Sequence, residues 1–281
     1  MKRREFIKNL TLGIIGLGVA PEVLARNAAD PAASSQKHMD DHIRDYLYKM
    51  KHFNETHHDD IRVHESDYRT FESVVKRLRR LERTAGHGNF QILSFDGGLS
   101  IARKYSEVGE FTKAEIGLIE MIFYSEASRY GFLGQKPLDK LTDRIRQRSV
   151  MKIPYTGNYL FNGHALETYE KIKKEVGEPV VLTSGVRGVM KQFLLFLNKA
   201  YKYQGNLSLA SRSLAPPGYS FHGKGDFDVG QIGFGSDNFT ERFTTTKVYK
   251  ILSELGYLKL RYPQDNMLGV RYEPWHIKLK A

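Results

Sequence analysis

The sequence contains no cysteine among its 281 residues. Disulfide bonds and thiolate catalysis are therefore excluded, and any metal ion must be bound by nitrogen and oxygen atoms. Acidic residues are few relative to basic ones, which leaves a formal net charge of +11. That excess suits an anionic partner such as a membrane or a wall polymer. Basic clusters such as "KRLRRLER" lie on helical patterns typical of solvated surfaces, so we expect no nucleic-acid partner.

The chain also lacks a long apolar run at its N-terminus, where the run from Leu10 to Ala20 is too short to span a membrane comfortably. A basic start precedes this run and small residues come after it, an order typical of a signal peptide. Arg3 and Arg4, followed by "FIK", resemble the twin-arginine export signal. We therefore predict an export signal over 1–25 and a location in the periplasm or cell envelope, with no stable membrane span after cleavage.

The region after the signal is predicted to be helical. Residues 26–37 are rich in Ala, Asn, Ser and Pro and are typical of a linker. Over 38–150, apolar residues recur at helical spacing, and "TKAE" at 112–115 has the pattern of a capping box that begins a helix. A further helix is predicted after Pro137.

The pattern changes near residue 150. Helices are predicted at about 164–176, 189–203 and 246–255, and strands at 179–185, 257–263 and 269–280. Helices and strands that alternate irregularly, with hairpin-like turns, indicate an α+β fold. We therefore divide the chain into a helical region over 38–150 and a second domain over 151–281.

Two short stretches of the second domain carry the candidate chemistry. "SFHGKGDFDVG" contains His222, Asp226 and Asp228, and "YEPWH" ends at His276, next to the only tryptophan. Two histidines and one carboxylate would leave a coordination position open, as catalytic metal sites do. Glu273 is then the candidate general base. It can reach the same site as His276 only if the strand is bulged or ends there, which the adjacent proline favours.

These stretches resemble the signature of the VanY-type D-alanyl-D-alanine carboxypeptidases, within the wider group of LAS zinc peptidases. That signature is Ser-x-His-x-x-Gly-x-Ala-x-Asp, followed by Glu-x-x-His with tryptophan before the histidine. "TSGVRGVMKQ" at 183–192 resembles the family's Ser-Gly-Tyr-Arg-Ser-x-x-x-Gln segment, and "PPGYS" and "GYLKLRYPQDNMLGVRYEPWH" agree in order. The resemblance covers about 150–281 and implies a LAS/hedgehog-like zinc peptidase domain, with a small antiparallel sheet and flanking helices.

The resemblance implies a role for each matching residue. His222, Asp228 and His276 would bind zinc, and Glu273 would be the base. Arg187 would pair with a substrate carboxylate, because a guanidinium fork matches a planar carboxylate. Two further residues, Ser220 and Gln192, would lie on the substrate side. The implied substrates are the peptide stems of peptidoglycan, cleaved at a D-Ala–D-Ala bond, an L,D bond or an internal crosslink.

The sequence departs from the family pattern in the spacing of the ligands. Asp228 lies six residues after His222, where the pattern has seven, and Asp226 stands where the pattern has alanine. We prefer Asp228 because the residues around it, "FDVG", match those around the family's aspartate, with Asp226 as the alternative ligand. Two other functions stay open. One is a non-haem iron oxygenase that uses the same ligand set, and the other is a non-catalytic module that binds the cell wall.

Overall fold

A computed structural model describes residues 31–279, with side chains from residue 41 onward. The predicted export signal and residues 26–30 of the predicted linker lie outside the described residues. The chain divides into two units between Arg44 and Asp45, and the second unit contains the sheets, the cores and the candidate site. No helix in the described part of the chain has both the length and the hydropathy needed to cross a membrane.

The helices are α1 (Pro31–Lys51), α2 (Tyr68–Ala85), α3 (His87–Phe90), α4 (Phe95–Lys104), α5 (Lys113–Tyr124), α6 (His164–Val176), α7 (Val189–Lys202), α8 (Leu207–Ser211) and α9 (Lys247–Glu254). Several begin and end where the sequence predicts. The capping box is formed at the start of α5, where the Thr112 hydroxyl accepts from the Glu115 amide and the Glu115 carboxylate accepts from the Thr112 amide. Helix α6 ends at Gly177, as its position after the last periodic residue predicts.

The strands are β1 (Val150–Lys152), β2 (Tyr159–Phe161), β3 (Val180–Ser184), β4 (Phe227–Gln231) and β5 (His276–Ile277). Strands β1 and β2 pair with each other, and β3, β4 and β5 form an antiparallel sheet in that spatial order. In this sheet Asp228 on β4 lies opposite Ser184 on one side and His276 on the other. The register of the central strand therefore brings one predicted ligand directly beside another.

The core is built from two main clusters of buried apolar side chains. The first joins α2, α5 and α7, and its fully buried members include Phe71, Leu78, Ile119, Phe193 and Phe196. The second packs α6 and α9 against the sheet and includes Trp275. Because α7 packs in the first cluster, the helical region before residue 150 and the region after it share a core. The observed class is the predicted α+β.

Some predicted elements are absent from the described residues or shorter than predicted. The predicted helix after Pro137 is absent from the described residues, where the Leu138 amide donates to Gly218 O at 3.1 Å. The predicted strand at 257–263 is irregular, and the one at 269–280 is reduced to β5. In that region the Arg271 amide donates to Arg212 O and the Glu273 amide to Tyr262 O, so isolated contacts replace a ladder. Residues 31–37, assigned to the linker from sequence, begin α1.

Candidate metal centre

Three predicted ligands converge at one end of the central strand. One ligand atom each from His222, Asp228 and His276 lies within 4.8 Å of the others, and all three side chains are buried. The Asp228 Oδ1 atom is 3.4 Å from His222 Nε2 and 3.2 Å from His276 Nδ1. Among residues 41–279, that buried oxygen has no hydrogen-bond partner. A carboxylate oxygen left without a partner between two imidazole nitrogens fits a site that binds a cation.

The turn before β4 sets the position of His222. The Asp226 amide donates back to Phe221 O at 3.2 Å, and Gly225 has φ +127°, a conformation that favours glycine. This tight turn accommodates the histidine-to-aspartate spacing of six residues. His222 Nδ1 donates to Gly185 O at 2.8 Å, which leaves Nε2 free to face Asp228.

The carbonyl that orients His222 depends on a close approach of two chain segments. A β-carbon at Gly185 would collide with the carbonyl oxygen of Tyr159, so a larger residue could not occupy this position without moving β2. The adjacent Val186 amide donates to the same Tyr159 oxygen at 2.7 Å. The "TSG" portion of the sequence motif therefore positions His222, a predicted ligand, through the backbone carbonyl of Gly185.

Asp226 lies on the far side of the His276 ring from Asp228. Its Oδ2 atom accepts from His276 Nε2 at 2.9 Å and from Arg261 Nε at 2.5 Å, and its Oδ1 accepts from the Leu279 amide at 3.0 Å. With Nε2–H fixed on Asp226, the other ring nitrogen faces Asp228 and Glu273. The geometry therefore favours Asp228 as the ligand and gives Asp226 the role of orienting His276.

The ionisation of the cluster reflects burial and close partners. In the protein without metal, burial would lower the pKa of His276, but the adjacent carboxylates of Asp226 and Asp228 outweigh it and raise the pKa to about 9. Burial, with Arg187 nearby, lowers the pKa of His222. Burial would raise the pKa of Asp228, yet both histidines and Arg187 hold it well below its usual range. Asp228 is thus an anion at neutral pH, as a metal ligand must be.

Glu273 is placed beside the ligands without joining them. Its Oε2 is 3.7 Å from His276 Nδ1, and its side chain is 13% exposed. Burial raises the pKa of Glu273 to about 6, which brings this carboxyl close to the range of a general base at neutral pH. The proline after it ends the ladder, so Glu273 and His276 reach one site as the sequence predicts.

The remaining predicted residues lie at different distances from the cluster. Arg187 Nη2 pairs with Asp228 Oδ2 at 2.8 Å, and its Nε donates to Ser184 Oγ at 2.9 Å, so this guanidinium contacts a ligand carboxylate. Ser220 lines the same cavity, whose volume is about 550 Å³. Gln192 does not line the cavity; its amide donates to Ala215 O, which belongs to the cavity wall.

Residues 163–280 match a protein-family model described as VanY: D-alanyl-D-alanine carboxypeptidase. The match covers less than half of the chain, and over this segment the chain is similar to the VanY-type carboxypeptidases. The resemblance inferred from the motifs is confirmed, and the matched segment begins next to α6 instead of near residue 150. Similarity to a peptidase family disfavours the iron oxygenase alternative. No curated protein matches the chain.

Solved structures similar to this chain include three carboxypeptidase or pentapeptidase chains. The LdcB LD-carboxypeptidase is 23% identical with a TM-score of 0.36, and the match covers 52% of this chain and 65% of that one. VanYB in complex with D-alanine-D-alanine is 22% identical with a TM-score of 0.39, covering 52% and 83%. A VanY D,D-pentapeptidase mutant in complex with Zn(II) is 22% identical with a TM-score of 0.39, covering 54% and 86%.

Sequence reasoning missed two features of the site. The first is the orienting role of Asp226, which the sequence indicates only as an alternative ligand. Asp226 lies directly before β4, two residues from Asp228, so an extended chain at this point would turn both carboxylates to one side, and this could have indicated a shared histidine. The second is the contribution of Phe53, Asn54 and Gln91, from the helical region, to the cavity wall. No local pattern in the sequence marks these residues.

Proposed function

We propose that this protein is an exported zinc carboxypeptidase that removes the C-terminal residue of peptidoglycan stem peptides. The observation that carries the proposal is the buried set of His222, Asp228 and His276, with an orphaned carboxylate oxygen at its centre. Its nitrogen and oxygen donors, in a chain without cysteine, suit zinc at a catalytic site with an open position. The family match of residues 163–280 supports the substrate class.

Each side chain has a defined task in the proposed reaction. His222, Asp228 and His276 would hold zinc, which supplies Lewis acidity toward the scissile carbonyl and toward water. Glu273 accepts a proton from the attacking water and delivers it to the leaving amine. Asp226 keeps the His276 ring in the orientation that presents Nδ1.

Arg187 would serve two groups at once. One of its amino groups stays on Asp228, where it keeps the ligand anionic. Its Nε is tied to Ser184, which leaves the rest of the fork able to contact a substrate carboxylate as it enters the cavity. Ser220, on the cavity wall, would lie beside the same part of the substrate.

Removal of the metal should abolish the activity reversibly. We expect chelator-treated protein to release no D-alanine from a peptide that ends in D-Ala–D-Ala, and zinc at equimolar concentration to restore release. The metal content of the restored protein should approach one ion per chain. Full activity in protein verified to be metal-free would contradict the proposal.

A further inference from the structure

The cavity that contains the candidate metal centre has a second cationic region on its wall, formed by Lys199 on α7 and Arg271 before β5. Neither side chain makes an ion pair with any carboxylate among residues 41–279. Arg187, by contrast, is paired with Asp228 at 2.8 Å. Lys199 and Arg271 are therefore positive charges near the centre without an ion-pair partner among the described residues, although the carboxylates of Glu273, Asp228 and Glu241 act on Arg271 at longer range.

Arg271 is held rigidly but is only partly hydrogen-bonded. Its guanidinium carbon lies 4.6 Å from the centre of the Phe53 ring and 4.7 Å from that of Trp275. Nη1 donates to Phe239 O at 2.9 Å, whereas the buried Nε has no partner among the described residues. A guanidinium fixed between two aromatic rings with a free donor is prepared to bind a planar anion.

Lys199 and a buried serine complete the same region. Lys199 Nζ donates to Asn54 Oδ1 at 2.5 Å, and burial, together with the nearby Arg271, lowers the pKa of Lys199 to about 8. The Ser213 hydroxyl is buried on the same wall and also lacks a hydrogen-bond partner in the described part of the chain. Two cations and a free hydroxyl in a desolvated setting are costly unless an anion offsets them.

The helical region fixes this wall in place. Arg212, next to Ser213, pairs with Asp60 at 2.6 Å and donates to the backbone oxygens of Phe53 and Glu55. The Arg212 carbonyl in turn accepts from the Arg271 amide at 2.8 Å. The segment around 53–60 is thus tied to the positions of Ser213 and Arg271. This gives the region before residue 150 a direct part in shaping the cavity.

We propose that Lys199, Arg271 and Ser213 form a second carboxylate subsite, which selects peptides that carry a carboxylate in addition to the one at their C-terminus. The inference rests on the proposed peptidase function, in which Arg187 serves the terminal carboxylate. It predicts that the preferred substrate is a stem peptide with a free acidic group on an internal residue. Conversion of that acidic group into a carboxamide should remove its electrostatic attraction to Lys199 and Arg271.

Two synthetic peptides test the subsite: they share one sequence and a free C-terminus, and differ only in an internal carboxylate or carboxamide. The wild type should prefer the carboxylate peptide in kcat/KM by about tenfold or more, the range of one charge-assisted contact. Lys199→Met and Arg271→Met should each bring this ratio close to one. Lys202→Met, which removes an equal charge from the exposed end of α7, should keep the wild-type ratio.

A binding measurement separates failure of the subsite from failure of the proposed function. Trp275 is the only tryptophan and lies against Arg271, so its fluorescence reports binding without turnover. In the Glu273→Gln variant, the carboxylate peptide should bind about tenfold more tightly than the carboxamide peptide, and Lys199→Met should abolish the difference. Equal affinity of both peptides for the protein with Lys199 and Arg271 intact would overturn the subsite, whether or not the peptides are cleaved.

Discussion

Replacement of Glu273 by glutamine should lower the rate of peptide hydrolysis by about 10²- to 10⁴-fold, the contribution typical of a positioned general base. Glutamine keeps the size of the side chain but cannot accept the proton of the attacking water. The three metal ligands are unchanged, so the variant should bind zinc in the same stoichiometry as the wild type. The rate of D-alanine release tests the expected loss of activity. The zinc content of the same preparation tests whether the metal is still bound.

Glu254→Gln is a matched control for this variant, because it removes the same charge from the exposed end of α9. It should retain wild-type activity. If Glu273→Gln were as active as this control, Glu273 would not be the base. Loss of activity together with loss of zinc would instead indicate that Glu273 supports the metal site.

The pH dependence of the wild type should follow the ionisation of the same carboxyl. In the protein without metal, burial raises the pKa of Glu273 to about 6, and a bound cation lowers the pKa of a nearby acid. A base acts only when deprotonated, so activity should be present above this pKa and fall as the pH decreases through it. The acidic limb of the kcat profile should therefore lie at or below about pH 6.

Replacement of Asp228 by asparagine should cause the second large loss. An amide is a poor zinc ligand, so we expect the metal content to fall sharply. Several kcal/mol of transition-state stabilisation are lost with the metal, which amounts to about a thousandfold or more in rate. Asp226→Asn removes a carboxylate two residues away and serves as the comparison.

The Asp226 variant should show a milder and different defect. Loss of an orienting carboxylate behind a metal-binding histidine typically lowers metal affinity about 10- to 100-fold. Activity of Asp226→Asn should therefore recover when zinc is added in excess, whereas that of Asp228→Asn should not. If the two variants exchanged these behaviours, Asp226 would be the ligand and Asp228 the orienting group.

The convergence of His222, Asp228 and His276 could be predicted because the short motifs lie next to elements that the backbone fixes locally. His222 lies in a tight turn, and Asp228 lies in a buried strand whose register places it beside His276. The proline before Trp275 correctly indicated that Glu273 leaves the ladder. These are local properties of glycine, proline and strand alternation, and the sequence displays them directly.

Other features depend on contacts between distant segments and could not be predicted. The stretch at 257–263 has a strand-like composition, yet its Tyr262 makes only an isolated backbone contact, in which its carbonyl accepts from the Glu273 amide. The part of the cavity wall that carries Lys199 and Arg271 also includes Phe53 and Ser213. No sequence periodicity connects these positions. In the first of these cases, tertiary contacts override strand propensity. The division into domains over 38–150 and 151–281 stays a prediction.

The masses of the products from defined muropeptides test the central claim most directly. Zinc-loaded protein should be incubated with tri-, tetra- and pentapeptide forms, and with a crosslinked dimer, under conditions where metal-free protein serves as the blank. The proposal predicts that one or more of the linear peptides lose a single C-terminal residue, only in the presence of zinc, while the crosslinked dimer is not cut at an internal bond. Unchanged masses for all substrates, with the peptides nevertheless bound, would contradict hydrolysis and indicate a wall-binding module on the same fold.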